Sequence, residues 1–286
     1  MLPATYHIQP PAGTHVRLSE VPLGEWYPFF MQWQVPVAVA VIYTILSFYF
    51  NPSSGNLSRV EAKRQNLAVS SGTPSSKSLL EPMTMVVFVH NAALAVYSAW
   101  AFRGIFPLFV RSIATKGCHG GLCDVDGYVW NGGLFMHSYL FYLSKYYELV
   151  DTVIIIAKGR KASLLQIYHH AGVILTTYYA CYYAAAPSVF LVWENAGVHT
   201  IMYTYYALTA VGFSPPGKQY LTSLQIFQFL FGQSVIVIYL LMPSCQTASQ
   251  RTWMWIMTAY LLPLIYLFMQ FFAKTYKTGA KPKKTQ

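Results

Sequence analysis

Three stretches of this chain set titratable side chains inside otherwise apolar sequence. In SLLQIYHHAGVI, Gln166, His169 and His170 stand at i, i+3 and i+4, on one face of a helix. In NAGVHTIMYTYY, Asn195, His199, Met202 and Tyr206 fall at i, i+4, i+7 and i+11, again one stripe. In KYYELVDT, Lys145, Glu148 and Thr152 fall at i, i+3 and i+7, with Asp151 beside Glu148. A fourth stretch, TSLQIFQ, sets Thr222 and Gln225 a turn apart with Gln228 flanking them.

An imidazole titrates near neutrality and serves as base or nucleophile. A neighbouring imidazole or amide can fix its tautomer. This suits acyl transfer, in which a ring nitrogen attacks a thioester, forms an acyl-imidazole and leaves its neighbours to orient a second substrate. Metal binding is the competing chemistry. The chain has 8 His, but His7, His15, His90, His119 and His137 are scattered singly, and no HxxxH box occurs. Two or three imidazoles are thin for a dinuclear site, so no metal is assigned. Lys145 and Glu148 can neutralise each other; a structural ion pair closing a helix end accounts for them equally well. A single His in a membrane helix is often a hydrogen-bonded packing residue. Three His and several amides on single faces of successive helices can line one polar pocket.

The elements that carry these groups read as membrane spans. Of 286 residues, 55% are hydrophobic and only 10% charged, where a soluble domain carries about a quarter charged. A span needs roughly 20 predominantly apolar residues, and candidates lie near 32–50, 82–102, 128–149, 164–183, 187–211, 219–243 and 252–273. Polar residues interrupt the third and fourth. No internal repeat is visible. Residues 51–81 form a polar linker. Residues 1–31 hold no basic segment followed by an apolar one, so the first span is expected to act as the insertion signal.

The net charge of +10 fits membrane topology better than nucleic-acid binding, because the charges fall in short loops. With a lumenal N-terminus, 13 of the 19 Lys and Arg are cytosolic: Arg59, Lys63, Arg64, Lys77, Lys158, Arg160, Lys161, Lys218 and the tail lysines beyond 273. Arg17, Arg103, Arg111, Lys116 and Arg251 are lumenal, and Lys145 lies within a span. Lys283 and Lys284 match a dilysine retrieval signal of endoplasmic reticulum membrane proteins; a basic tail on anionic lipid is the plainer alternative. The sequon Asn56-Leu57-Ser58 is expected to be cytosolic and unmodified.

In this order, the motifs resemble those of the ELO family of fatty acid elongases, the very-long-chain 3-oxoacyl-CoA synthases. That family carries KxxExxDT, HxxHH, NxxxHxxMYxYY and TxxQxxQ. Here stand Lys145, Glu148, Asp151 and Thr152; then His169 and His170; then Asn195, His199, Met202, Tyr203, Tyr205 and Tyr206; then Thr222, Gln225 and Gln228. Gln166 departs from the family's first box histidine, which bears on substrate class and on any role needing a titratable group there. An amide can still donate and accept hydrogen bonds.

The resemblance implies a single all-α membrane domain of seven spans. Spans two to seven would enclose a narrow acyl-chain tunnel, with span one packed outside. It implies condensation of fatty acyl-CoA with malonyl-CoA to a 3-oxoacyl-CoA two carbons longer, with release of CO2 and CoA and no cofactor. His169 would carry the acyl group, and His199 would bind or activate the malonyl thioester. His170, Gln166 and Asn195 would orient these rings. Lys145, Glu148, Asp151, Thr152, Met202, Tyr203, Tyr206, Thr222, Gln225 and Gln228 would contact substrate, and basic cytosolic loops would hold CoA phosphates. Membrane lipid, the reductases and dehydratase of the elongation cycle, and a second copy of the chain are its expected partners. Among Cys118, Cys123, Cys181 and Cys245, the resemblance of Cys123-Asp124 to the family's loop cysteine favours a lumenal Cys123–Cys245 bond; a local Cys118–Cys123 pair competes, and Cys181 is expected free and buried. A membrane di-iron desaturase or hydroxylase and a seven-span receptor are the alternatives, and DRY-like and NPxxY signatures of the latter are absent.

Overall fold

Apolar runs in hydrocarbon must satisfy their backbone groups internally, and a helix does so within one segment. The computed structural model describes residues 10–52, 82–213, 215–242 and 244–277, and among them there is no strand. The sequon, most of the linker and the Lys283–Lys284 pair lie outside the described residues. The helices are α1 (Tyr27–Phe30), α2 (Gln34–Tyr49), α3 (Pro82–Cys123), α4 (Phe135–Glu148), α5 (Val150–Ala157), α6 (Leu164–Tyr182), α7 (Ser188–Ala210), α8 (Lys218–Leu241) and α9 (Ala248–Phe272).

Among the described residues, three helices are long and apolar enough to cross a membrane: α3, α8, and α9 continued to Tyr276. The segments Gly24–Phe30 and Gln34–Tyr49, bent by 72°, make a fourth if they count as one span. α4 has only 14 residues. α6 and α7 carry the imidazoles and amides of the motifs, which lower their hydropathy.

The second expected span, α3, runs well past its expected bound of 102, to Cys123. The stretch holding Cys118 and Cys123, expected as a loop, is helical and belongs to α3, which breaks only at Gly117 (φ 70°). Beyond that break the chain packs back so closely that a Cβ on Gly121 would stand 2.7 Å from the Ile113 backbone. A disulfide joins Cys123 to Cys245, in the turn between α8 and α9. Cys118 is free and exposed, and Cys181 free and buried. Closing a loop of this length stabilises the fold by about 5 kcal/mol in the chain-entropy account.

Six helices pack in cyclic order, α3 on α4, α4 on α6, α6 on α9, α9 on α8, α8 on α7 and α7 back on α3. α2 lies against α6. The Asn51 side chain ties its end to the α5–α6 turn, accepting from Ala162 N and donating to Ala162 O, both at 2.9 Å. The N-terminal segment is pinned to α4 by the Tyr139 hydroxyl on Leu23 O (3.0 Å) and the Tyr142 hydroxyl on Phe30 O (2.8 Å). The largest core cluster fills the space among α4, α6, α8 and α9.

Candidate active site

α4 ends at Glu148 and α5 begins at Val150, so the KYYELVDT stretch crosses a helix break. Its side chains fan out instead of forming one stripe. Lys145 and Glu148, 1% and 2% exposed, face α7. The Lys145 ammonium donates to Glu148 Oε1 at 2.7 Å and to Asn195 Oδ1 at 3.3 Å, and lies 3.8 Å over the Phe141 ring. Ser144 Oγ also donates to Glu148 Oε1, at 3.2 Å.

Asp151 turns to α3 and α7 instead. Its Oδ1 stands 2.9 Å from His90 Nε2, and its Oδ2 accepts from the Tyr203 hydroxyl at 2.8 Å. His90 Nδ1 lies 3.2 Å from the Tyr147 hydroxyl. Thr152 faces α2 and α6, with Oγ1 2.8 Å from the Tyr43 hydroxyl and 3.4 Å from the Gln166 amide nitrogen. That nitrogen is 2.7 Å from His170 Nε2.

The partners fix the protonation of two imidazoles. A lysine ammonium can only donate, so Asn195 must turn its carbonyl oxygen toward Lys145. Its amide nitrogen then donates to His199 Nε2 at 3.2 Å. His199 accordingly carries its proton on Nδ1, which points at Glu148 Oε2 across 3.9 Å. That oxygen is buried and has no hydrogen-bond partner among the described residues. Lys145, Glu148, His199 and Asn195 thus form a closed cycle in which a carboxylate oxygen stands ready to steady an imidazolium.

His169 lies on the opposite wall. Its Nδ1 is 2.9 Å from the Tyr260 hydroxyl oxygen, and that hydroxyl is also 3.2 Å from the His169 backbone carbonyl. Tyr260 has one proton, and a carbonyl only accepts. Both contacts are satisfied when Tyr260 donates to the carbonyl and His169 Nδ1–H donates to Tyr260. The lone pair of His169 is then on Nε2, which has no partner among the described residues. Of the three motif imidazoles, His199 has its Nε2 held by Asn195 and His170 meets Gln166 there; His169 alone presents Nε2 unheld.

The His169 ring lines a narrow cavity of about 40 Å³ bounded by α6, α7, α8 and α9. Asn195, Gln228, Tyr260 and Glu194 are its polar lining, and Val173, Phe229, Met257 and Trp253 belong to its apolar wall. Thr222 and Gln225 do not line it. Thr222 Oγ1 meets the Tyr276 hydroxyl at 3.3 Å, and the Gln225 amide meets Met202 Sδ at 3.1 Å. Tyr206 packs half-buried against the Met202, Tyr203 and Leu221 cluster. No three His, Cys, Asp or Glu side chains among the described residues are placed to hold one metal ion.

Tyr260, His90, Tyr43 and Glu194 are site residues that the motifs did not supply. His90 and Glu194 were findable as ionisable groups within apolar runs. Tyr260 and Tyr43 carry no local signal, since tyrosine is common throughout this chain.

The model of the ELO (GNS1/SUR4) family matches residues 28–284. Among curated relatives, Fatty acid elongase 1 of Trypanosoma brucei brucei is 32% identical over 183 residues, covering 60% of this chain and 59% of that one. Very long chain fatty acid elongase 6 of Gallus gallus is 34% identical over 193 residues, covering 65% and 71%. The human protein of the same name is 35% identical over 194 residues, covering 65% and 71%. The chain spans 53 to 66% of the length of the first curated relatives it matches. With a family match over nearly all of its residues, this chain belongs to the ELO family.

Proposed function

We propose that the protein is the condensing enzyme of fatty acid elongation, joining a fatty acyl-CoA to malonyl-CoA. The observation that carries this reading is His169, whose unheld Nε2 faces an apolar cavity while the other motif imidazoles are tied to amides. An acyl chain lies in the cavity with its thioester at His169. Nε2 attacks the thioester carbonyl, the C–S bond breaks, and CoA leaves as the thiolate, to be protonated by solvent. Nδ1 keeps its proton, bonded to Tyr260, and the acylated ring is an imidazolium that returns to neutral His169 when the C–N bond breaks. Malonyl-CoA then loses CO2, and the resulting carbanion attacks the acyl-imidazole. The C–N bond breaks, and 3-oxoacyl-CoA departs. His199, steadied by Glu148 and Asn195, holds the malonyl thioester as charge develops on its oxygen. No cofactor enters this scheme.

The same proposal takes α2 to α9 as seven spans, with α4 and α5 as one, and the cyclic packing of six helices as the wall of an acyl tunnel. The loop charges support a lumenal N-terminus and cytosolic CoA phosphates. The Cys123–Cys245 bond suits an oxidising lumen, hence the endoplasmic reticulum. Reductases and a dehydratase would complete the cycle.

Incubation with acyl-CoA alone tests the reaction. One equivalent of free CoA and a mass adduct on His169 are expected. Condensation by a protein that never shows either would overturn the covalent step.

Gly172, one turn after His169, admits the ring that orients it. A Cβ there would stand 2.3 Å from Tyr260 Cε2. Gly172→Ala must therefore displace Tyr260, and turnover is expected to fall roughly 100-fold, the scale of a 1 Å misplacement of a catalytic group. Tyr260→Phe, which keeps the ring but loses the hydroxyl, should lose activity without losing stability. Initial rates of CO2 release from both variants decide it, and wild-type rates would remove Tyr260 from the site.

A further inference from the structure

His90 lies within an apolar run of α3, VVFVHNAAL, and is 3% exposed. An ionisable group inside a membrane helix is costly and needs a partner. Here the partner is Asp151, the second residue of α5, just past the break at Leu149. A carboxylate only accepts, so Nε2 of His90 carries a proton and donates to Asp151 Oδ1. Nδ1 stands 3.2 Å from the Tyr147 hydroxyl, and those two rings pack with centroids 5.2 Å apart. Asp151 accepts at both of its oxygens, from His90 on Oδ1 and from the Tyr203 hydroxyl on Oδ2.

Tyr203 is buried one turn after His199 on α7. Its ring meets the His199 ring with centroids 5.3 Å apart and planes at 88°, an edge-to-face pair. Asn195 and Glu148 address the two nitrogens of His199, at the rim of its ring. Contacts at two rim positions leave the ring free to rock about the line joining them, and a second ring set at right angles limits that motion. Tyr203 is held in turn by its hydroxyl on Asp151. A single hydrogen bond would leave the Asp151 carboxylate free to turn about it. Bonds at both oxygens, from α3 on one side and α7 on the other, fix its plane. The path from His90 through Asp151 and Tyr203 ends at the imidazole assigned to malonyl-CoA.

We infer that His90 is a positioning residue for the malonyl half of the reaction. It holds Asp151, Asp151 holds Tyr203, and Tyr203 keeps the His199 ring aligned with the malonyl thioester. The inference rests on the proposed roles of His169 and His199. The competing account is a buried pair that only joins α3 to α5. Such a pair would matter for folding, and so for both substrates equally.

Initial rates of the full-length protein with both substrates varied separate the two. When CoA leaves an acyl-enzyme before malonyl-CoA enters, kcat/KM for each substrate reports its own half-reaction. His90→Asn and His90→Gln are the informative pair. A glutamine amide reaches as far as Nε2 and can still donate to Asp151, whereas an asparagine amide reaches only as far as Nδ1, on the Tyr147 side. His90→Asn should lower kcat/KM for malonyl-CoA roughly tenfold, a part of the ~100-fold that a 1 Å misplacement costs. Its kcat/KM for acyl-CoA should stay at the wild-type value. His90→Gln should restore most of the loss. Equal losses for the two substrates, or a glutamine variant no better than the asparagine one, would overturn the inference. His90→Phe keeps a ring against Tyr147 but has no donor, and answers the same question should His90→Asn not purify as one species. Intersecting instead of parallel reciprocal plots in the unaltered protein would strike the covalent step. A defect confined to malonyl-CoA in His90→Asn would even then place His90 behind His199.

Discussion

His169→Ala is expected to abolish CoA release from acyl-CoA alone and to lower condensation with malonyl-CoA roughly 10⁴-fold or more, the scale on which loss of a covalent nucleophile is felt. The side chain is half-buried at a cavity wall and bonded through Nδ1 only to Tyr260. Its removal leaves no charge unpaired, so the fold should persist with an unchanged melting profile. His199→Ala is expected to behave differently. It should still release one equivalent of CoA from acyl-CoA and then fail to condense, because its ring belongs to the other half of the reaction. The pair of variants separates the two steps. A burst of CoA from His169→Ala would transfer the nucleophile's role elsewhere.

The second large effect is on stability. Lys145 and Glu148 are buried together, and the ammonium also anchors Asn195. Lys145→Met would leave the Glu148 carboxylate in the core with only Ser144 as donor. Breaking a buried pair by removing one partner costs about 3–5 kcal/mol. At the few degrees per kcal/mol of a protein this size, the melting temperature of detergent-purified protein should drop by roughly 10 °C. Lys145→Met with Glu148→Leu should recover most of that loss, since no charge is then stranded. Activity should not return in the double variant, because Asn195 no longer has the donor that fixes its orientation toward His199. A single Lys145→Met variant that melts with the wild type would show that Glu148 is neutral or reached by water.

What the sequence made legible follows from distance along the chain. Lys145 and Glu148, Gln166 and His170, and Asn195 and His199 are each three or four residues apart on one helix, and each pair is in contact. Helical periodicity is enough to name them. The contacts that finish the site join residues far apart: His169 with Tyr260, Asp151 with His90, Thr152 with Tyr43. Periodicity assigns a face but not the helix that covers it, so these partners were out of reach. The same limit explains the KYYELVDT stripe. Its spacing assumed one unbroken helix, and the break at Leu149 sends Lys145 and Glu148, Asp151, and Thr152 to three different neighbours. Membrane helices were legible where hydropathy is uniform, as in α3, α8 and α9. They blurred in the expected spans at 128–149 and 164–183, which hold α4 and α6, because polar residues interrupt both apolar runs.

The bond between Cys123 and Cys245 sets an order on biosynthesis. The two are separated by 122 positions, which at a synthesis rate of about 5–20 residues per second is a wait of roughly 6 to 24 s. Throughout that interval Cys123 is a thiol without its native partner, and Cys118 stands five positions away and arrives first. On the proposed orientation both face the lumen while α4 to α8 are still being made. The bundle stays unlatched until the turn after α8 has been made, so the latch closes only on a nearly complete chain.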